Sequence, residues 1–300
     1  MPHISLHRVE LETLESGPAD APLALFLHGF PDNARTFDGL RAELASEGYR
    51  TVAPWLPGYF PSGLAHDGNY QVGAVASDVI ELVERLAGDR SDTVLIGHDW
   101  GAIVGHAVAA NAPDRLRALV AMSVPHQASL IDSFINSPDQ LQRSWYIFVF
   151  QSLLAETAVA ANDFAFIAKL WREWSPGSAA PESHVQEIKD AFSRPGCLSA
   201  ALAYYRYMLG ANPPDAKYAA FDAAAFGEIN VPTMYMHGTD DGCMTLDLVN
   251  DATLTPLFPA GLRIERVEGA GHFLQLDAPD AVNALVVDFL GPAPATNLEG

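Results

Sequence analysis

The chain contains 300 residues, of which 49% are hydrophobic and 18% charged, a composition that supports a large folded core and excludes an intrinsically disordered protein. At about 150 residues per domain, this length suggests about two domains. The 17 basic and 37 acidic residues give a net charge of −20, which disfavours nucleic-acid or anionic-membrane binding because both attract basic surfaces.

Short apolar runs alternate with helical patterns along the first 125 residues, and this alternation is typical of βαβ units around a mostly parallel sheet. Residues 4–16 are expected to form an antiparallel edge pair. The remaining strands are predicted at residues 22–27, 50–54, 93–96, 116–123, 231–236 and 262–267. The helices that accompany them are predicted at residues 34–47, 73–87, 100–111 and 279–290. We expect the tail, residues 292–300, to be frayed.

The character of the sequence changes after residue 126. Residues 127–225 are rich in alanine and aromatic residues, show helical patterns and contain no convincing strand. We therefore predict an α/β core formed by residues 1–126 and 226–300, with a helical cap inserted at residues 127–225. The candidate site is expected at the interface between the two.

Two further features concern the environment of the protein. No run approaches the roughly 18 apolar residues that span a membrane, and the first residues lack the pattern of a signal peptide, so the expected location is the cytoplasm. Cys197 and Cys243 are too few for a disulfide framework and lack the Cys-x-x-Cys spacing of a metal site. Both are expected to be reduced thiols.

The strongest chemical signal is the segment Gly97-His-Asp-Trp-Gly101, in which a predicted strand runs into Gly-x-Asp-x-Gly and then directly into a helix. Such a sharp turn presents one side chain above a parallel sheet. The presented residue is Asp99, whose carboxylate is kept ionised at the helix N-terminus and can act as a nucleophile. The alternative is that Asp99 only caps the helix that follows it.

Three other loops also follow predicted strands. His28-Gly-Phe-Pro31 lies where this architecture builds half of an oxyanion hole, so the N–H groups of Phe30 and Trp100 are expected to form it together. The loop Gly238-Thr-Asp-Asp-Gly242 carries carboxylates, and Gly271-His272 carries an imidazole. Each loop alone could be a solvated turn. Their order of nucleophile, acid and histidine at successive strand ends favours a catalytic triad.

Together these motifs resemble those of α/β-hydrolase-fold enzymes of the epoxide hydrolase and haloalkane dehalogenase group. The resemblance spans nearly the whole chain and implies an eight-stranded, mostly parallel sheet with helices on both faces and an inserted helical cap. It also implies that Asp99 is the nucleophile and His272 the base. Asp241, rather than Asp240, is implied as the acid that orients His272.

Members of this group tend to hold the peptide bond that matches Phe30-Pro31 in the cis form. We expect Trp100, Pro31, Val149 and Phe273 to line the substrate site. The hypothesis requires no metal and no organic cofactor.

An aspartate nucleophile narrows the reaction. A carboxylate that attacked a carbonyl would form a reactive anhydride, which disfavours esterase and peptidase chemistry. A carboxylate is suited to displacement at saturated carbon, which yields an alkyl ester on Asp99 that water activated by His272 then hydrolyses.

The leaving group distinguishes the possible substrates. A halide leaves as an anion, whereas an epoxide oxygen leaves as an alkoxide and requires a proton donor, for which a phenol is suited. Tyr205, in the segment Tyr204-Tyr-Arg-Tyr207, matches the Tyr-Arg position that donates to the epoxide oxygen in epoxide hydrolases. At least one of Tyr204 and Tyr207 is expected only to pack.

The sequence departs from the epoxide hydrolase pattern at a second cap tyrosine. Epoxide hydrolases usually carry it just before a Phe-Gln pair, and aligning Phe150-Gln151 places Val149 there. Tyr146 lies three residues earlier on nearly the same helical face. Either Tyr146 replaces the missing donor or the enzyme works with one tyrosine.

The alternatives to epoxide hydrolysis are two kinds of dehalogenation and ligand binding without catalysis. A haloalkane dehalogenase would use the same triad with a second halide-binding tryptophan, for which Trp145, Trp171 and Trp174 are candidates, although many members of that family carry Asn or Glu where this chain has Phe30. Fluoroacetate dehalogenases carry an arginine where this chain has Trp100. A non-catalytic ligand-binding protein is disfavoured by the intact triad.

The expected partners are therefore small. They comprise a hydrophobic epoxide or halide substrate and water, with no nucleic acid and no membrane. The protein is expected to be a monomer or a homodimer.

Overall fold

Eight strands form one sheet in the computed structural model, which describes residues 1–178 and 181–294. The strands are β1 (His3–Ser5), β2 (Glu10–Ser16), β3 (Leu23–Leu27), β4 (Arg50–Pro54), β5 (Thr93–His98), β6 (Leu116–Met122), β7 (Thr233–Gly238) and β8 (Leu262–Val267). Their order across the sheet is β1-β2-β4-β3-β5-β6-β7-β8. The first two strands pair antiparallel, as do β2 and β4, and all later pairs are parallel. The predicted edge pair and the mostly parallel sheet are confirmed.

Helices flank the sheet and fill the chain between β6 and β7. They are α1 (Asp38–Ser46), α2 (Val72–Ala87), α3 (Trp100–Asn111), α4 (Gln127–Asn136), α5 (Pro138–Arg143), α6 (Trp145–Phe150), α7 (Ala155–Trp174), α8 (Glu182–Phe192), α9 (Cys197–Leu209), α10 (Ala219–Ala224), α11 (Asp251–Leu254), α12 (Leu274–Asp277) and α13 (Pro279–Leu290). The first and last helices pack together, and α2 packs against α3. Within α7, Asn162, Asp163 and Phe164 adopt left-handed backbone angles that interrupt the helix.

Most predicted boundaries agree with the structure to within two residues. The predicted helix at residues 34–47 begins as a short 3-10 turn, Ala34–Phe37, before α1. The strand predicted at residues 231–236 corresponds to β7, which begins two residues later, at Thr233, because Pro232 has no N–H to donate to the ladder. The expected frayed tail falls mostly on residues 295–300, which lie outside the described residues.

The parallel strands end at one level of the sheet. Leu27, the last residue of β3, pairs with Gly97 of β5, and Gly238 of β7 pairs with Val267 of β8. Because these ends are in register, the loops that follow β3, β5, β7 and β8 begin side by side at the carboxyl edge. The four loops singled out by sequence motifs therefore meet at one place.

Residues 127–225, called the cap segment below, contain helices and no strand among the residues that the structure describes. Their boundaries as a separate domain stay a prediction. Both cysteines are free and buried, as expected of reduced thiols. Within residues 1–178 and 181–294, no helix is both long and apolar enough to cross a bilayer.

Candidate active site

The site is organised around the sharp turn at Asp99, where β5 passes directly into α3. Asp99 has backbone angles of φ 53° and ψ −116°, a region that side chains rarely adopt. The flanking glycines allow this turn because a Cβ atom on Gly101 would lie 1.8 Å from the carbonyl oxygen of Leu27, and one on Gly97 would lie 2.1 Å from that of Gly101. The Asp99 carboxylate makes no capping hydrogen bond to α3, which removes the helix-cap alternative.

Two groups from neighbouring loops contact the Asp99 carboxylate. The backbone N–H of Phe30 donates to Oδ1 at 2.7 Å, and Nε2 of His272 lies 3.5 Å from Oδ2. The close approach of the Phe30 loop requires Gly29, since a Cβ atom there would lie 2.3 Å from Asp99 Oδ1. The Phe30-Pro31 peptide bond is cis, as the family resemblance implied.

The Trp100 N–H, the second amide expected in the oxyanion hole, does not contact the Asp99 carboxylate as the Phe30 N–H does. No hydrogen bond joins the Trp100 N–H to the Asp99 carboxylate among the described residues, so in this conformation Phe30 alone donates to it. Trp100 is the first residue of α3, so its N–H has no acceptor within the helix, and its part in the oxyanion hole stays a prediction. The indole of Trp100 nevertheless lines the cavity beside Asp99, as predicted.

His272 is held by the carboxylate of Asp241 on the side opposite Asp99. The distance from Nδ1 of His272 to Oδ2 of Asp241 is 3.0 Å. The other oxygen of Asp241 accepts backbone N–H groups of Cys243 and Met244 at 2.7 and 2.8 Å, which fixes the carboxylate in its loop. Asp240, the neighbour considered less suitable, is exposed. The geometry therefore brings Asp99, His272 and Asp241 into one line of contacts.

The charges of this triad determine the protonation of His272. Burial lowers the pKa of the imidazole, but the carboxylates of Asp241 and Asp99 outweigh this effect and raise the pKa to about 10. Burial raises the pKa of Asp241, and the facing His272 more than compensates and lowers it. The raised pKa of His272 favours its imidazolium form at neutral pH.

Two residues that the sequence analysis did not single out hold the main chain of His272. Nε2 of His98 lies 2.9 Å from the His272 carbonyl oxygen, and the Ser123 hydroxyl donates to the same oxygen at 2.6 Å. His98 directly precedes Asp99, and Ser123 directly follows β6. The available signal was their position at strand ends, where the other site residues also lie.

A contact that the sequence analysis did not predict connects the cap segment to the triad loops. The carbonyl oxygen of Trp174, at the end of α7, accepts N–H groups of Gly242 at 3.0 Å and His272 at 2.9 Å. The Trp174 ring also packs edge-on against the His272 ring, with 5.0 Å between the ring centroids. No sequence motif marks this contact, because it depends on where the interrupted helix α7 ends.

Tyr205 and Tyr146 from the cap segment line the same small cavity as Asp99. The Tyr205 hydroxyl is buried and has no hydrogen-bond partner among the described residues. Burial, and secondly the charge of Asp99, raise the pKa of Tyr205 well above its ordinary value, so this phenol stays protonated. The Tyr146 hydroxyl lies 3.5 Å from the Cys243 sulfur, and burial raises its pKa as well.

Val149, Pro31 and Phe273 are not among the residues that line the cavity beside Asp99, so their part in substrate binding stays a prediction. Val149 is half-buried at the edge of α6, because the inward face of this short helix is formed by Tyr146, Ile147 and Phe150. Pro31 and Phe273 both contact Trp171, whose indole donates to the Pro31 carbonyl at 2.9 Å and stacks on the Phe273 ring at 3.6 Å.

The neighbours of Tyr205 have structural roles. The Tyr204 hydroxyl donates to the carbonyl oxygen of Pro57 at 2.9 Å, so this tyrosine joins the cap segment to the core. Tyr207 is half-buried and does not line the Asp99 cavity. Arg206 pairs with Glu156 of α7 at 2.7 Å.

None of the three candidate halide-binding tryptophans lines the Asp99 cavity. Trp145 is 36% exposed, the indole N–H of Trp171 is used by Pro31, and Trp174 packs on His272. Nor do residues 1–178 and 181–294 contain a group of three acidic, histidine or cysteine side chains that could hold a metal ion.

A comparison with known protein families identifies the family to which this chain belongs. Residues 24–285 match the model of the alpha/beta hydrolase family. The chain belongs to the α/β-hydrolase family. It is 32% identical to Epoxide hydrolase 3 of Xenopus tropicalis, covering 94% of this chain and 75% of that protein, and 29% identical to Epoxide hydrolase 4 of Homo sapiens, covering 92% and 74%.

Solved structures of the family have the same fold. The chain superposes on a Klebsiella pneumoniae protein with a TM-score of 0.86 at 26% identity, covering 96% of both chains. An inhibitor-bound epoxide hydrolase of Bacillus megaterium superposes with a TM-score of 0.81 at 24% identity, covering 96% of this chain and 99% of that one. These superpositions establish an α/β-hydrolase fold with an eight-stranded, mostly parallel sheet.

Proposed function

We propose that this protein hydrolyses epoxides to vicinal diols through a covalent ester on Asp99. The observation that carries the proposal is the Tyr205 hydroxyl, which is buried and protonated in the cavity that Asp99 also lines and has no hydrogen-bond partner within residues 1–178 and 181–294. An unpartnered buried hydroxyl is costly unless a ligand uses it. An epoxide oxygen beside Asp99 would use it as a proton donor. The similarity to named epoxide hydrolases supports the same activity.

The first step is displacement at an epoxide carbon. Oδ1 of Asp99 accepts the Phe30 N–H, which leaves Oδ2 as the attacking atom. Its lone pair forms the new carbon–oxygen bond while the ring carbon–oxygen bond breaks. The electron pair of the broken bond goes to the epoxide oxygen, which takes the Tyr205 proton and becomes a hydroxyl group.

His272 then restores the proton to Tyr205. Its pKa of about 10 depends in part on the charge of Asp99, and esterification removes that charge. The imidazolium therefore becomes a stronger acid once the ester has formed and gives its proton to the Tyr205 phenolate. This transfer leaves His272 neutral, the form that can act as a base.

Water then hydrolyses the ester. Neutral His272 takes a proton from a water molecule at Nε2, and the resulting oxygen nucleophile attacks the carboxyl carbon of Asp99. The charge that develops on Oδ1 is met by the Phe30 N–H at its observed position. The bond between the carboxyl carbon and the ester oxygen then breaks, and the departing alkoxide takes the remaining proton of the attacking water. Release of the diol leaves the Asp99 carboxylate and the protonated His272, so the net reaction is epoxide plus water to diol.

The site supports dehalogenation less well. A departing halide is stabilised by N–H donors, and the Trp100 indole is the one tryptophan side chain that lines the cavity among the described residues. Trp100 also occupies the position where fluoroacetate dehalogenases carry an arginine. A protein that only binds ligand would have no use for the imidazolium held between Asp99 and Asp241.

The experiment that tests the proposal is a parallel assay of diol release from styrene oxide and bromide release from 1-bromobutane. We expect diol release from the wild type and a large loss in Tyr205→Phe. Tyr204→Phe is the matched control, because this neighbouring hydroxyl donates to Pro57 outside the cavity, and it should retain most of the activity. Bromide release that survives Tyr205→Phe, without any diol release from the wild type, would support a dehalogenase instead. Ligand binding without either product would support a receptor.

A further inference from the structure

The cavity beside Asp99 is too small for any substrate of ordinary size. Its volume is about 20 Å³, which is room for about one water molecule. Ile103, Leu130 and Met208 are among the apolar side chains that enclose it. A substrate must therefore displace part of this wall to reach Asp99.

The same three side chains also line a second, larger cavity of about 170 Å³. This cavity extends outward to Phe226, which is 46% exposed, and to the exposed Pro214. The two spaces are thus separated by a shared wall of Ile103, Leu130 and Met208. The larger cavities, of about 640 Å³ beside Trp171 and about 770 Å³ beside Arg143, share no lining residue with the Asp99 cavity.

Three polar side chains of the second cavity, Gln71, Asp222 and Gln127, have partners within the protein, and Tyr207 adds an aromatic ring and a hydroxyl to the lining. The Gln71 amide donates to the Asp222 carboxylate, and the other oxygen of that carboxylate accepts the Gly73 N–H at 2.7 Å. The Gln127 amide donates to the carbonyl oxygen of Ile103 at 3.1 Å. With these groups satisfied, the rest of the lining is mainly apolar and suits a hydrocarbon or aryl group.

Met208 is the part of the shared wall best able to move. Ile103 and Leu130 are each 5% exposed, and Ile103 lies within α3, which packs on the sheet. Met208 is half-buried in the last turn of α9, directly before the helix ends at Gly210. Its unbranched side chain has rotamers that a branched residue lacks.

We propose that substrates reach Asp99 through the cavity between α4, α9 and α2, and that Met208 closes the passage between this cavity and the site. The cavity also holds the apolar substituent of the bound substrate, so the preferred substrates are epoxides with an aryl or alkyl group. This inference rests on the proposed function for the identity of the substrate.

The test replaces Met208 with a larger residue and compares it with its neighbour. Leu209→Trp is the matched control, because Leu209 is also half-buried in the last turn of α9 but lines neither cavity. We expect Met208→Trp to lower kcat/KM for styrene oxide about tenfold or more, and to affect 1,2-epoxypropane much less. Met208→Ala should raise kcat/KM for styrene oxide, and Tm values of all variants verify folding.

The proposed passage would be overturned if Met208→Trp and Leu209→Trp lowered kcat/KM equally. It would also be overturned if Met208→Trp lowered kcat/KM equally for styrene oxide and 1,2-epoxypropane. Absence of diol from every epoxide in the wild type would instead reject the proposed function. The passage is then judged from association of 1-phenyl-1,2-ethanediol, followed by tryptophan fluorescence. The proposed passage is supported if the diol associates more slowly with Met208→Trp but not with Leu209→Trp. It is overturned if association with Met208→Trp is unchanged, or if the diol does not bind the wild type.

Discussion

The core and the cap segment contribute to the site in physically different ways. Asp99, Asp241, His272 and Phe30 follow strands whose ends are fixed by the ladder of one sheet. Tyr205 and Tyr146 stand on helices that reach the site through side-chain and main-chain links rather than a continuous ladder. In the proposed mechanism the core therefore fixes the reacting charges, while the cap segment supplies the proton donor and part of the enclosure. Mutations in the two regions should consequently fail in different ways.

Removing the nucleophile should give the largest effect. Asp99→Asn leaves the shape of the site intact but removes the attacking charge, and we expect kcat for diol formation to fall by about 10⁴-fold or more. Asp240→Asn is the matched control, since this exposed carboxylate lies next to Asp241 but outside the triad. Comparable losses in both variants, measured as diol release, would contradict the assignment of Asp99.

Removing the donors of the cap segment should give the next largest effect. Tyr205→Phe should lower kcat for epoxide opening by about 10²-fold, because proton donation typically contributes that much. Tyr146→Phe should cost less, since its hydroxyl already contacts Cys243. Single-turnover measurements should show slower ester formation in both variants with ester hydrolysis nearly unchanged. Slower hydrolysis with normal ester formation would reverse the proposed roles of the two regions.

The raised pKa of His272 predicts that the free energy of unfolding depends on pH. The residues responsible, His272, Asp241 and Asp99, all belong to the core. The pKa of His272 is raised to about 10 in the folded protein, against about 6.5 when unfolded, so the folded state binds this proton more tightly. The resulting stabilisation is complete below about pH 6.5 and is lost as the pH rises towards 10. Urea unfolding at several pH values should show that the wild type loses more stability over this range than His272→Gln. Equal slopes would contradict the raised pKa.

The links between the two regions should give the smallest effect. Trp171→Phe keeps an aromatic ring against Phe273 but leaves the Pro31 carbonyl without its donor, and we expect a loss of about 1–3 kcal/mol in the free energy of unfolding. Trp145→Phe is the control because Trp145 is 36% exposed and its indole donates no hydrogen bond to a residue that the structure describes. If the two variants were equally stable in urea, the link would not hold the regions together.

The same difference explains what the sequence could predict. The positions of the strands and the turn at Asp99 follow from apolar periodicity and a short motif, because a glycine-flanked turn at a strand end leaves few positions for its side chain. The choice of Asp241 over Asp240 follows from the family resemblance. The contributions of the cap segment were less predictable. Alignment placed Val149 at the second tyrosine position, yet the inward face of α6 carries Tyr146. Contacts such as the Trp174 carbonyl with two triad loops depend on helix ends and leave no sequence signal.

The most direct test of the account is capture of the ester on Asp99. In His272→Gln the base that activates water is absent, so the ester should form with styrene oxide and persist. Mass spectrometry of the digested protein should then show the added mass of one epoxide on the peptide that contains Asp99, and none in Asp99→Asn. Label on another residue, or steady diol release by His272→Gln without any label, would contradict the covalent mechanism.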